Sequence, residues 1–165
     1  MNTELDQDSG VSQMEFLTFT LGSEHYGVDI LKVKEIRGWG KIRELHDTPD
    51  FVKGVLDLRG RIVPIIDLRI RFNLESAEYK ATTVIIILSL NNNQGIMGIV
   101  VDSVSDVLPV QQKDIRKSPS LGTKINTDYI LGMVSLDEQL VMLVETDRLL
   151  DVEDFEVLNP AEGAA

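Results

Sequence analysis

The sequence predicts a mainly β protein of two five-stranded, barrel-like units related by internal duplication, with a short helix near its C-terminus. Three observations lead there. Apolar runs rich in Val, Ile and Leu alternate with Gly-, Asn- and Pro-containing turns along most of the chain. Phe51-Val52-Lys53-Gly54-Val55-Leu56 matches Tyr129-Ile130-Leu131-Gly132-Met133-Val134 and stays in register through Ile62–Asp67 against Leu140–Glu145, an offset of 78 residues from Gly54 to Gly132. Earlier, Tyr26-Gly27-Val28 matches Met97-Gly98-Ile99, and Val33 and Ile36 match Val104 and Val107, at an offset of 71 from Gly27 to Gly98. An ungapped match that includes a glycine and an aromatic favours duplication over a chance alignment of apolar positions. About five strands per unit is enough for a small closed barrel and too few for a sandwich.

The elements follow in order. Residues 1–13 are acidic and small polar without periodicity, which predicts a disordered tail. Phe16–Leu21 alternates apolar residues with Thr and reads as a strand, Gly22–His25 as a turn, Tyr26–Ile30 as the return strand and Val33–Arg37 as a third. Lys41–Asp50 is a loop, and Pro49–Val52 suits one helical turn. Phe51–Arg69 is a hairpin with its turn at Leu58-Arg59-Gly60-Arg61, where Gly60 supplies the positive φ. Pro64, lacking an N–H, belongs on an edge strand or at a bulge. Asp67–Phe72 reads as a short helix and Asn73–Ala81 as a polar connection. The second half offers strands at Thr83–Leu90, Ile96–Val101 and Val104–Val110, a polar loop over Gln111–Asn126, a hairpin at Ile130–Leu136 and Leu140–Val144, and a helix over Asp147–Phe155. The expected organisation is a domain over 14–158, with a first unit near 14–80, a second near 81–158, room for strand sharing between them, and a tail over 159–165.

Composition narrows the function. The 165 residues carry a formal net charge of −11, which disfavours nucleic acid and anionic lipid as partners. No cysteine is present, which excludes disulfides, thiolate catalysis and Cys-type zinc sites. The polar N-terminus lacks the apolar region of a signal peptide, and Val84–Leu88 is too short to span a bilayer. A soluble, cytoplasmic protein is expected.

No pattern of catalytic residues stands out. His25 falls in a turn and His46 in a loop, without metal-site spacing, and both read as solvated. There is no nucleophile elbow or phosphate-binding loop. Asp47-Thr48-Pro49 has proline where an aspartic protease needs glycine, and the second half has no counterpart. No carboxylate pair is marked for acid–base work. Arg59, at the tip of an apolar hairpin, reads either as a solvated surface charge or as a protein-binding hot spot. Glu35, on the Val33–Arg37 strand, is its partner if the two strands are neighbours; the pair is then a weak surface ion pair or a contact that orients a partner. The tip differs between the copies, with Arg59-Gly60-Arg61 facing Asp137-Glu138-Gln139. That difference favours a role for Arg59 beyond the fold.

Three segments resemble, in order, the signatures of a known family. Tyr26-Gly27-Val28-Asp29-Ile30-Leu31-Lys32-Val33-Lys34-Glu35-Ile36-Arg37-Gly38 is the first. Gly54-Val55-Leu56-Asp57-Leu58-Arg59-Gly60 with Ile62–Arg69 is the second, and Gly98–Leu108 the third. They are similar to those of the bacterial chemotaxis coupling proteins, the CheW family, over about Met14–Phe155. The same domain occurs in the chemotaxis histidine kinase CheA and in adaptors fused to a receiver, but this chain has no room for a kinase or receiver region. The resemblance implies two SH3-like five-stranded barrels and a non-catalytic adaptor without cofactor or metal. It implies that the adaptor links the cytoplasmic tips of methyl-accepting chemoreceptors to the regulatory domain of CheA and helps build the array at the membrane. Receptor contact is expected in an apolar groove between the barrels. The coupling positions carry over to Val33, Glu35, Ile36, Gly54, Arg59, Val84, Gly98, Val104 and Val107. Gly54 and Gly98 also admit a purely structural role. Arg61 and Trp39 depart from the usual pattern; Arg61 alters the charge of one partner face. Two other classes stay open. A double barrel that senses a small molecule requires a buried polar pocket, whereas Val, Ile and Leu at the inward positions predict filled barrels. An enzyme requires an open polar cleft with convergent carboxylates.

Overall fold

The computed structural model describes residues 13–74, 78–90, 95–117, 129–136 and 138–149. Its strands are β1 (Gln13–Leu21), β2 (Glu24–Asp29), β3 (Val33–Gly38), β4 (Val52–Leu58), β5 (Arg61–Asp67), β6 (Val84–Leu90), β7 (Gly95–Val101), β8 (Ser103–Gln111), β9 (Ile130–Leu136) and β10 (Gln139–Val144), with a helix, α1 (Leu68–Arg71), after β5. They form two five-stranded sheets. Sheet one has the order β8-β1-β2-β10-β9 and sheet two the order β3-β6-β7-β5-β4. Replacing each strand by its repeat equivalent turns one order into the other. The register agrees: Leu143 lies beside Gly27 in the parallel β10–β2 pair, and its repeat equivalent Ile65 lies beside Gly98 in β5–β7. A register shift falls between Val52 and Gly54 opposite Ile66 and Ile65, and its image pairs Ile130 with Val144 and Gly132 with Leu143.

The sheets do not follow the division expected near residue 80. Sheet two is the continuous stretch from Val33 to Val101, nested inside a sheet one assembled from β1 and β2 before it and β8 to β10 after it. The connections explain this. Tight hairpins turn on two residues. Asp102 alone separates β7 from β8, and cannot reverse the chain, so β8 runs on into the other sheet. Ile30–Lys32 forms a single 3-10 turn that carries β2 into β3 in the same way. The strand sharing allowed by the sequence is therefore reciprocal between the repeats.

Three apolar clusters result. Leu58, Val63, Ile65, Ile85, Ile87 and Val100 fill the inner face of sheet two. Phe16, Val110, Val134, Val141 and Leu143 do the same in sheet one. The largest cluster, with Leu17, Phe19, Tyr26, Val28, Ile86, Leu88, Ile99 and Met142, lies between the sheets. Along β6 successive residues face the inner cluster and the inter-sheet cluster in turn, so an unbroken apolar run serves both. Gly98 faces the inner side of sheet two, where a Cβ would stand 2.7 Å from Ile65 Cδ1 and 2.8 Å from Ile85 Cγ2.

Pro64 lies in β5, which has neighbours on both sides and is not an edge strand. Its partner on β4 is Val55, whose N–H and C=O both bond Arg43 at 2.8 and 2.9 Å, so the Pro64 nitrogen points away from β4. On that other side the ladder to β7 starts only at Ile65, and no donor is wanted at residue 64. The same Arg43 bridge explains Gly54. A side chain there would collide with the Arg43 carbonyl, and φ is +150°.

Pro49 and Val52 close the expected turn with a 3.0 Å bond. The expected helix after β5 is α1, with Asp67 as its N-cap. Of the helix expected over Asp147–Phe155, Thr146–Arg148 forms a 3-10 turn and Leu149 is buried; residues 150–155 lie outside the described residues, as do the tails over 1–12 and 159–165.

Asp67 does more than cap. Arg69, 1 % exposed, donates from Nε and Nη2 to its two carboxylate oxygens, each at 2.9 Å. Nη1 of Arg69 donates to Asp102 Oδ1 at 2.8 Å and to the Glu78 carbonyl at 2.6 Å. Burial alone would lower the affinity of Arg69 for its proton, but Asp67 and Asp102 outweigh it and hold the guanidinium charged. The Tyr79 hydroxyl donates to Asp67 Oδ2 at 2.7 Å; burial and then the Asp67 contact raise its pKa, keeping it a neutral donor. Asp102 reaches sheet one: its Oδ2 accepts from Gly22 N–H at 2.6 Å, and its own N–H donates to the Thr20 carbonyl at 3.0 Å. Arg69→Ala would leave Asp67 buried without its partner. It is expected to cost about 3–5 kcal/mol of unfolding free energy, read by urea denaturation; a loss under about 1 kcal/mol would show the network to be energetically idle.

Candidate functional site

The β4–β5 hairpin turns on Arg59 and Gly60, with Leu58 and Arg61 as the closing pair. Both turn residues have positive φ, +52° and +86°. Two-residue turns of this kind favour Asn-Gly or Asp-Gly, so a long side chain at the first position is locally disfavoured. Asp57 steadies the turn by accepting from Gly60 N–H at 3.1 Å. Arg59 Nη2 donates to Glu35 Oε1 at 3.1 Å, and Arg37 Nε lies 3.5 Å from the other oxygen of Glu35. The pairing anticipated for Glu35 and Arg59 is present, but not through neighbouring strands. β3 and β4 stand at opposite edges of sheet two, so the contact closes only because the sheet curls back on itself. Lys34, Glu35, Leu58, Arg59, Arg61 and Ile96 line a cleft of about 260 Å³ there. Arg61 adds a third cation to this cleft.

Sheet one repeats the cleft with different chemistry. His25, Ser105, Asp106, Leu136 and Gln139 line a space of about 230 Å³ and are the repeat equivalents of Ile96, Lys34, Glu35, Leu58 and Arg61. His25 stands on β2 rather than in a turn, with its Nε2 2.9 Å from Gln139 Nε2. The two repeat offsets were enough to align these residues, yet the isolated pattern of a turn histidine and a polar hairpin tip hid them.

Five of the positions carried over by resemblance share one face. Val33 pairs with Leu88, Ile36 with Ile86 and Val84 with Val101, all partners in the inter-sheet cluster. Val104 pairs with Phe19 and Val107 with Leu17, again partners in that cluster. Directly opposed residues point to the same side of a sheet, so all five face the space between the sheets. Val33, Val84 and Val104 pack onto that core, whereas Ile36 and Val107 are 46 % and 44 % exposed. Ile36 and Val107 are also repeat equivalents, one on each outer strand of the two sheets. Glu35 and Arg59 lie apart from these five, at the cleft of sheet two. Gly54 and Gly98 are buried and shape the backbone. Trp39 lies against the inner cluster of sheet two and stacks on Tyr79, with ring centroids 4.3 Å apart.

The architecture is that of a duplicated two-sheet β domain whose inner faces are filled by side chains, with Glu35 and Arg59 at a surface cleft and Ile36 and Val107 exposed on the two outer strands. The chain belongs to the CheW-like domain family, whose model matches residues 15–154. It is 47 % identical to the chemotaxis protein CheW of Klebsiella aerogenes over 145 residues, 88 % of this chain and 86 % of that protein. It is 32 % identical to the chemotaxis protein CheW of Rhizobium meliloti over 142 residues, 86 % of this chain and 90 % of the relative. The crystal structure of the scaffolding protein TtCheW from Thermoanaerobacter tengcongensis superposes with a TM-score of 0.78 at 30 % identity, covering 86 % of this chain and 90 % of that one. Among the described residues, no helix is long and apolar enough to cross a membrane.

Arg59 is 75 % exposed, and exposed ion pairs contribute little. Arg59→His and Glu35→Lys are each expected to change unfolding free energy by less than about 1 kcal/mol and to keep one cooperative thermal transition. A lost transition would assign that residue to the fold. Gly98→Val, by contrast, is expected to cost roughly 1–3 kcal/mol through overpacking, measured in the same melts.

Proposed function

We propose that this chain is a non-catalytic chemotaxis adaptor that couples methyl-accepting chemoreceptors to the histidine kinase CheA and helps assemble the signalling array. It works in the cytoplasm, at arrays gathered on membrane-bound receptors. The observation that carries this reading is the shared inter-sheet face of Val33, Ile36, Val84, Val104 and Val107, with Ile36 and Val107 exposed at matching places on β3 and β8. An apolar strip of this kind suits a helical receptor tip laid in by its apolar side. Relatives named as chemotaxis proteins, and one titled a scaffolding protein, support the same role.

The Arg59 tip supplies the second element. A positive φ at a non-glycine residue is a local cost that needs a reason. Here the turn holds a guanidinium in solvent beside Glu35, where it adds orientation and partner choice more than affinity. Gly54 and Gly98 serve coupling indirectly, by keeping the backbone in the shape the surface requires. Neither contact has to be tight, because array assembly multiplies weak binding. The apolar clusters inside both sheets support an adaptor over a ligand-sensing barrel.

Capture by a receptor tip and by the kinase regulatory domain tests the proposal. Arg59→His and Glu35→Lys are expected to weaken at least one capture by about tenfold or more, the size of an interface hot spot. Ile36→Asp and Val107→Asp are expected to reduce receptor capture. If all four variants fold and bind both partners as the parent does, the coupling surface lies elsewhere.

A further inference from the structure

The nested topology leaves two places where the chain passes between the sheets, Ile30–Lys32 from β2 to β3 and Asp102 from β7 to β8. By the repeat, Leu31 corresponds to Asp102 and Lys32 to Ser103, while Glu145 and Asp147 correspond to Asp67 and Arg69. Both crossings are held by ions, but with the charge arrangement altered. At the second crossing, buried Arg69 holds Asp102 at 2.8 Å, Gly22 N–H donates to Asp102, and the Thr20 and Ser103 hydroxyls are 2.7 Å apart. At the first, Lys32 Nζ lies 3.7 Å from Glu145 and 3.4 Å from Asp147, with all three side chains about one-third exposed. The Ser89 hydroxyl approaches the Lys32 carbonyl only at 3.5 Å, and Leu31 is 87 % exposed.

We propose that the Ile30–Lys32 crossing is a salt-sensitive hinge, which lets β3 shift relative to the inter-sheet face while β8 stays fixed. The proposal rests on the coupling role of that face and adds its regulation: Val33, Glu35 and Ile36 begin at the hinge, whereas Val104 and Val107 begin at the rigid crossing. Screening weakens the first crossing more, because its ion pairs are longer and all three of its charged side chains are partly solvated, whereas at the second Asp102 is 32 % exposed but is held at 2.8 Å by a guanidinium that is itself buried. The outer edge of the binding face on sheet two is therefore adjustable, and the edge on sheet one is a fixed reference.

Amide hydrogen exchange on the full chain, without any partner, tests this. The reporters are Leu31 N–H, which donates to Asp29 Oδ1 at 3.0 Å, and Val33 N–H, which caps the turn on Ile30, against Gly22 and Asp102 N–H at the other crossing. Raising salt from about 0.02 M to about 0.5 M is expected to speed exchange at 31–33 roughly two- to fivefold and leave the other pair unchanged. Lys32→Met is expected to exchange fast at 31–33 already at low salt and to lose the salt response. Glu145→Gln combined with Asp147→Asn gives the same test from the acidic side should Lys32→Met fold poorly. Equal salt response at both crossings, or parent-like protection without the Lys32 charge, overturns the hinge. Because no partner is present, a negative result leaves the coupling reading intact, and a failed capture experiment leaves the hinge intact.

Discussion

The guanidinium of Arg69 sits at the point where the architecture is most exposed to failure. Sheet two must be inserted into sheet one without loosening either, and at Asp102 only one residue separates their strands. Arg69 binds Asp67 with two parallel bonds and reaches Asp102 with a third, while Asp102 holds the β1–β2 turn. Arg69 and Asp67 are compensated rather than solvated, and Asp102, 32 % exposed, ties the pair to sheet one, so each partner depends on the others. Tyr79 and Trp39 extend the same set outward over sheet two.

Duplication supplied the rest of the plan. Two copies of a five-strand pattern make two sheets of identical order, and the exchange between them buries β6 and β7 on both faces. What the copies do not share is chemistry at equivalent places. One cleft carries Lys34 and Arg61 where the other has Ser105 and Gln139, while Glu35 and Asp106 keep an acid in both. The duplicated scaffold thus presents two clefts of unlike charge.

The strands, the hairpins and the repeat were legible because alternation and turn glycines are local signals. The nesting was not. Strand order depends on how far a connection lets the chain turn, and strands read at Ile96–Val101 and Val104–Val110 left two residues between them, enough for a tight turn, where the structure has only Asp102. The Arg69 network was hidden for a related reason: Asp67-Leu68-Arg69 reads as ordinary surface charge until burial is known. Its trace in the sequence was an acidic residue closing a run of Val, Pro and Ile. Glu35 and Arg59 were singled out together, but their meeting depends on sheet curvature, which no residue pattern states. Gly54 and Gly98 came forward from family resemblance, and their geometry accounts for them as backbone shape.

Nesting also bears on how the chain is made. As it leaves the ribosome, the β1–β2 hairpin appears first, but its neighbours β8 and β10 come last. Sheet two, being continuous, has all of its strands available while sheet one still presents open edges. Long-range pairing of this kind slows folding, and bare strand edges invite wrong partners. The late strands therefore act as closure for the early ones, so a truncated translation product would carry a finished sheet joined to a sticky, incomplete one.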